Sequence, residues 1–199
     1  MHKKIFIDCG THYGEGLRQF IDMYKMDAEW EIHTFEANPV AHAHFLNRNG
    51  ELLQHYNIKH YNLAISDSYG KIRLNQETPP NEDNSGMGTS IISLNQWNPW
   101  GGELALNFKT FVDVDTIAFS DFLDKTVSIG DFCVIKMDIE GAEYQTLEKI
   151  ISRGLYNKMN DIFVEYHSNF FVDKQKMFEW ERDITNKLRS ENVNLVLWH

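Results

Sequence analysis

Only two of the 199 residues are cysteine and four are proline, and no apolar run approaches the ~18 residues that a membrane-spanning helix needs. Cys9 and Cys133 each sit in or beside an apolar strand-like run, the usual setting of a buried reduced thiol. A reducing, cytoplasmic compartment is therefore expected. Basic residues are scarce as well: 19 Lys and Arg stand against 29 Asp and Glu, a net charge of -10. That balance opposes the attraction to phosphates on which nucleic-acid and anionic-membrane binders rely, so neither is an expected partner. The opening Met1-His2-Lys3-Lys4 has only Ile5 to Ile7 before Asp8, too short for the apolar part of a secretory signal, and no export is expected. What is present is 42% apolar residues without a polar repeat, enough for an ordered core. The length fits one domain over residues 1–199.

Short β-branched or aromatic runs alternate with helical patterns along the chain. Residues 4–8 read as a strand. Leu17, Phe20, Ile21 and Tyr24 recur at helical spacing, which predicts an amphipathic helix over residues 15–25. A strand over 31–36 is followed by Asn38 as N-cap and Pro39 at the first helical position. "IKHYNLAIS" reads as a third strand, and "DSYGKIRL" as a turn into an extended segment. Residues 76–109, with little periodicity and with Trp97 and Trp100, read as a substrate loop or lid, the two tryptophans being either a sugar-stacking platform or a hook onto the core. "FVDVDTI" is then a strand, "FSDFLDK" a short helix, and "DFCVIKMDI" a central strand buried on both faces. Further on come a helix from about Ala142, a strand at "DIFVEYH", a long helix marked by Met177, Trp180, Ile184 and Leu188, and a closing strand at "VNLVLW". The alternation predicts an α/β fold: a mainly parallel central sheet with helices on both faces and ligands at the carboxyl ends of its strands.

"FIDCGTHYGEG", residues 6–16, ends a buried strand on a carboxylate and then places Gly10, Gly14 and Gly16 in one turn. Such a turn lets a ligand approach the backbone at a helix N-terminus, where amide groups favour an anion. Asp8 just ahead of it would repel a pyrophosphate and attract a cation, so the preferred ligand carries both signs of charge. S-adenosylmethionine (SAM), with a carboxylate, an ammonium and a sulfonium in one tail, meets that demand. The spacing G-x-x-x-G-x-G also differs from the dinucleotide pattern G-x-G-x-x-G. Glu36 ends the second strand, where an acidic side chain can accept hydrogen bonds from both ribose hydroxyls.

With "TFEANP", "NLAISDSYGKIRL" and "VIKMDIEGAEYQTLEKI" added, the chain resembles the FkbM family of SAM-dependent methyltransferases, most specifically in "KMDIEGAE". The resemblance implies a Rossmann-like class I methyltransferase fold, here a minimal version without an N-terminal cap. It also implies O-methylation of a hydroxyl on a small acceptor such as a saccharide. By position it implies that Asp8, Gly10 and Gly14 line the methionine end of SAM. Glu36, flanked by Ala37 and Asn38, would hold the ribose, and the stretch from Asn62 through Ala64 and Ile65 to Ser66 would edge the adenine. Relatives commonly have Ala-Asn where this chain has Thr11-His12, which leaves the role of His12 open between a contact to cofactor and one to substrate.

A neutral hydroxyl is a poor nucleophile, and a general base within hydrogen-bond reach is one remedy. Asp138 and Glu140 follow "VIKM", and Glu165 and His167 lie in "FVEYH", both at carboxyl ends of strands. Asp138 and His167 are the first candidates as base or orienting groups, with Lys136 as electrostatic partner and Glu140 beside them. Glu143 is balanced between a site role and simple stabilisation of a helix start. No metal is part of this expectation; in the alternative, Asp138, Glu140, Glu165 and His167 converge on one divalent ion, and their oxygen-rich set would suit magnesium, calcium or manganese better than zinc.

Overall fold

A computed structural model describes residues 2–76, 89–96 and 110–198. Strand β1 (Lys4–Cys9) leads into helix α1 (Glu15–Tyr24), and β2 (Trp30–Phe35) into α2 (Pro39–Arg48) and the short α3 (Gly50–His55). Next come β3 (Asn57–Tyr61), β4 (Ala64–Ser66), β5 (Gly70–Gln76) and β6 (Thr110–Ala118), then α4 (Phe119–Thr126). The chain finishes with β7 (Phe132–Met137), α5 (Glu143–Ser152), β8 (Asp161–Val164), α6 (Lys174–Ser190) and β9 (Asn194–Leu197). Six strands form one sheet in the order β3-β2-β1-β7-β8-β9, every pairing parallel.

Strand β1 sits in the middle because its side chains are apolar toward both faces. Phe6 packs with Leu17, Phe20 and Ile21 of α1 and Phe45 of α2 on one side. Ile5, Ile7 and Cys9 point the other way, into a larger cluster with Phe119 and Leu123 of α4, Leu147 and Ile150 of α5, and Ile184 and Leu188 of α6. Helices therefore cover both faces, as a parallel sheet requires. Helix α2 starts where the sequence puts it: Asn38 accepts a hydrogen bond from the Val40 N–H at 3.0 Å, with Pro39 in the first turn. Cys9 and Cys133 are buried and free. Among the described residues no helix is long and apolar enough to cross a membrane.

Two sequence expectations are corrected and one helix is added. "IKHYNLAIS" is not one strand: β3 belongs to the six-stranded sheet, whereas β4 joins a second sheet, β4-β6-β5, in which β4 runs parallel and β5 antiparallel to β6. Asn62 separates the two, its amide donating to the Glu36 and Ala37 carbonyls at 2.7 and 3.2 Å and turning the chain out of the first sheet. The strand in "DIFVEYH" stops at Val164, which leaves Glu165 and His167 in the connection beyond it. Helix α3 went unmarked because it buries none of its residues and so carries no apolar stripe. Of the expected lid, residues 77–88 and 97–109, Trp97 and Trp100 among them, lie outside the described residues. Within it Ser90 bridges to Asn75 at the end of β5.

Helix α2 also covers a histidine pair. His60 of β3 stacks on Phe45 and His42 at ring separations of 3.9 and 4.6 Å, and its Nδ1 shares a 2.7 Å hydrogen bond with the Thr34 hydroxyl. Among the described residues the buried Nε2 of His60 and Nδ1 of His42 have no hydrogen-bond partner. Burial, with His42 beside it, pushes the His60 pKa down to about 4, and burial lowers that of His42. The folded state thus prefers both rings neutral, while the unfolded chain takes up protons near pH 6.5. Their contribution to stability is complete above about pH 6.5 and is lost as pH falls toward 4. Urea midpoints of the wild type and His60→Gln, compared between pH 7.5 and pH 5, should show the larger acid loss in the wild type.

Candidate active site

The turn after β1 is fastened to β2 by its backbone. Gly10 and Thr11 both donate to the Phe35 carbonyl, at 3.1 and 3.0 Å. The His12 N–H donates to Glu36 Oε2 and the Asn38 N–H to Oε1, each at 2.8 Å. Glu36 is thus clamped across two turns, and burial pushes its pKa up to about 7. His12 takes a left-handed φ of 49° at this contact.

Beneath the turn, the parallel register sets Asp8 opposite Lys136 of β7. Both are buried. The Lys136 ammonium lies 3.5 Å from Asp8 Oδ1 and 3.3 Å from Asp138 Oδ2, and it donates to the Gly10 carbonyl at 2.7 Å. Burial opposes its charge, but the two carboxylates hold its pKa above the ordinary lysine value. Asp8 accepts from the Thr11 hydroxyl at 2.6 Å, and burial raises its pKa. The cation that Asp8 meets is therefore the protein's own lysine.

After β7, residues 138–142 form a second turn, which carries left-handed backbone at Glu140 and Gly141. Glu143, fully buried at the start of α5, folds back into it. Its Oε1 accepts from the Ile139 N–H at 2.9 Å and from His167 Nδ1 at 3.0 Å, and its Oε2 accepts from the Gly141 N–H at 2.9 Å. His167 is buried, and the next residue, Ser168, is held by the Tyr144 hydroxyl and the Glu181 carboxylate. His167 Nε2 lies 3.5 Å from Glu140 Oε2 and 3.8 Å from Asp138 Oδ1. Burial alone would lower the His167 pKa; Glu143, Glu140 and Asp138 together raise it to about 10. Glu140 is pushed up to about 8, chiefly by burial. Its side chain keeps 21% of its surface, so solvent moderates that shift.

A cavity of about 290 Å³ opens at the carboxyl ends of β1, β2 and β7. Gly10, His12, Glu36, Ala37, Asn38, Ala64, Ile65, Asp138 and Glu140, all anticipated from the sequence, line it. Asp8, Thr11, Gly14, Ser66, Lys136 and His167 do not. Asp8, Thr11 and Lys136 stand behind the wall, where strand register turns them toward one another, and Gly14 faces Phe45 and Asn49 of the α2 region. Leu63 lines the cavity too, within the stretch expected at the adenine, and of the other lining residues Phe35, Leu74, Thr89 and Ile91 were not named individually. The last three come from the second sheet and the Ser90 bridge, which strand periodicity alone does not place against β2. Glu143, left balanced between a site role and a helix-start role by the sequence, is buried behind the second turn and bonded to His167.

A parallel six-stranded sheet flanked by helices is also the fold of a solved methyltransferase structure. Methyltransferase FkbM from Methylobacillus flagellatus KT matches with a TM-score of 0.51 at 15% identity, over 94% of this chain and 37% of that one. At that identity the likeness speaks for the fold. The profile of the Methyltransferase FkbM domain matches residues 8–189, and the chain belongs to the FkbM methyltransferase family. It spans little more than a third of the length of the solved relative. Comparison with curated proteins gave no significant match.

Proposed function

We propose that residues 1–199 act as one SAM-dependent O-methyltransferase domain, with a small hydroxylated acceptor, such as a saccharide, as substrate. The observation that carries this reading is the cavity itself, which joins a backbone turn at Gly10 and a clamped carboxylate at Glu36 to a second carboxylate at Asp138. The donor set suits the cofactor. Each Glu36 oxygen accepts one backbone N–H and keeps a lone pair for a ribose hydroxyl. Leu63, Ile65, Leu74 and Ile91 give an apolar slot for a flat base. When bound, SAM supplies a methyl group already activated by its sulfonium.

Asp138 faces the cavity with 27% of its side chain exposed and is positioned to take the acceptor's hydroxyl proton. The Lys136 ammonium lies 3.3 Å from its other side. His167, charged at neutral pH and behind the wall, orients rather than accepts, which leaves Asp138 as the base of this reading. The negative net charge speaks for a small acceptor over nucleic acid or an anionic membrane. The two free buried cysteines suit a reducing, cytoplasmic setting.

Calorimetric titration with SAM and S-adenosylhomocysteine, with NAD as control, tests this directly. Saturable binding of the first two is expected, weakened at least about tenfold in Glu36→Ala through loss of charge-assisted hydrogen bonds. Absence of binding to either, by protein shown to be folded, would overturn the reading. Acceptors would be screened next, beginning with sugars.

A further inference from the structure

We propose that Asp138, Glu140 and His167 form a divalent-cation site at the acceptor end of the cavity, deepening the reading above and resting on it for the site's place in the reaction. One ligand atom from each residue lies within 4.8 Å of the other two. The distances from His167 Nε2 to Glu140 and Asp138, 3.5 and 3.8 Å, are long for hydrogen bonds. They suit atoms sharing one ion: bonds of roughly 2.1 to 2.3 Å put neighbouring ligands about 3 Å apart and opposite ones about 4.4 Å apart. Small side-chain adjustments would close the set.

An observation outside the three ligands supports the assignment. Glu143 is fully buried and accepts the Nδ1 hydrogen of His167, which fixes the ring and aims Nε2 at the two carboxylates. A carboxylate behind a histidine is the arrangement that orients imidazole ligands in metal proteins. Charge agrees as well: two carboxylates and a neutral imidazole balance a doubly charged ion. On loading, the ion takes the place of the Nε2 proton and of the proton that Glu140 carries below its raised pKa, and both pass to solvent. Two oxygens and one nitrogen suit manganese better than calcium, and a single imidazole without thiolates is a weak set for zinc. Asp138 and Glu140 line the cavity, so an acceptor oxygen can reach the remaining positions of the ion, which would lower the hydroxyl pKa. Glu165, part of the four-residue alternative drawn from the sequence, also lines the cavity but falls outside the converging set.

The test needs no turnover. Chelator-treated protein without SAM is titrated with Mn2+ while the free-ion electron paramagnetic resonance signal is followed. One bound ion per chain is expected, with affinity reduced at least about tenfold in Glu140→Gln and in Asp138→Asn. Thermal melting confirms that the variants are folded, and using two separate substitutions guards against either one failing. An unchanged free-ion signal in the wild type, or undiminished binding in both folded variants, would overturn the cation site. SAM binding without Mn2+ binding removes this inference and keeps the methyltransferase reading; Mn2+ binding without SAM binding does the reverse.

Discussion

Gly10→Ala is expected to destabilise the protein by about 3 kcal/mol or more. A Cβ at this position would sit 1.8 Å from the Asp138 carbonyl oxygen, a backbone atom that cannot swing aside, and the residue holds a φ of +83°. Left-handed backbone alone costs a side chain roughly 1 to 2 kcal/mol, and forcing extra volume into a packed site adds roughly 1 to 3. Against the 5 to 15 kcal/mol that holds a typical domain together, that is a large fraction. Gly16 gives the contrast. Its added Cβ would meet Lys136 Cε at 3.7 Å, an ordinary contact, and it lies within α1. Gly16→Ala should therefore be neutral, or stabilising by up to about 1 kcal/mol through helix propensity. Urea unfolding of both variants measures the difference, and equal effects would mean that the two glycines share a single role.

The second large effect is expected at Glu143. Truncation to alanine would leave the Ile139 and Gly141 N–H groups and a buried imidazolium without their acceptor. Breaking a buried pair on one side costs about 3 to 5 kcal/mol. Glu143→Gln should lose less, because the amide oxygen can still serve two donors while its NH2 confronts the third. A purely structural acid would change stability alone. Here the His167 pKa, followed by NMR in chelator-treated protein, should also fall from about 10 in both variants, since the carboxylate that raises it is gone. An unmoved His167 titration would show that the pairing does not govern the ring.

The sequence was most legible where one physical signal acts alone. Apolar runs buried on both faces marked β1 and β7, and the Asn38-Pro39 pair marked the start of α2 to the residue. Of the site, the residues that end strands were legible, since parallel topology sends every carboxyl end to the same edge; Glu36 and Asp138 follow from that rule. Asp8 shows where the rule stops. Ending a strand at the right edge does not decide which way a carboxylate faces, and pairing in register with Lys136 turned it inward. The break at Asn62 was hidden because its two flanks are equally strand-like, and only the side-chain bonds to the Glu36 and Ala37 carbonyls separate them. Glu143 stayed balanced between two readings, because its three donors come from a turn and from the distant connection after β8, which local spacing does not bring together.

The Lys136 ammonium bears on the order in which the molecule assembles. Its hydrogen bond to the Gly10 carbonyl joins positions 126 residues apart. The glycine turn and Glu36 are both in place along the chain within its first 36 residues, yet the wall behind them arrives only with β7. Closing so long a loop brings an entropic cost ahead of its contacts, which slows pairing of this kind. The cavity wall is therefore complete only once β7 is docked: a fragment ending at β5 would contain the turn and Glu36 without the lysine that holds the turn from below.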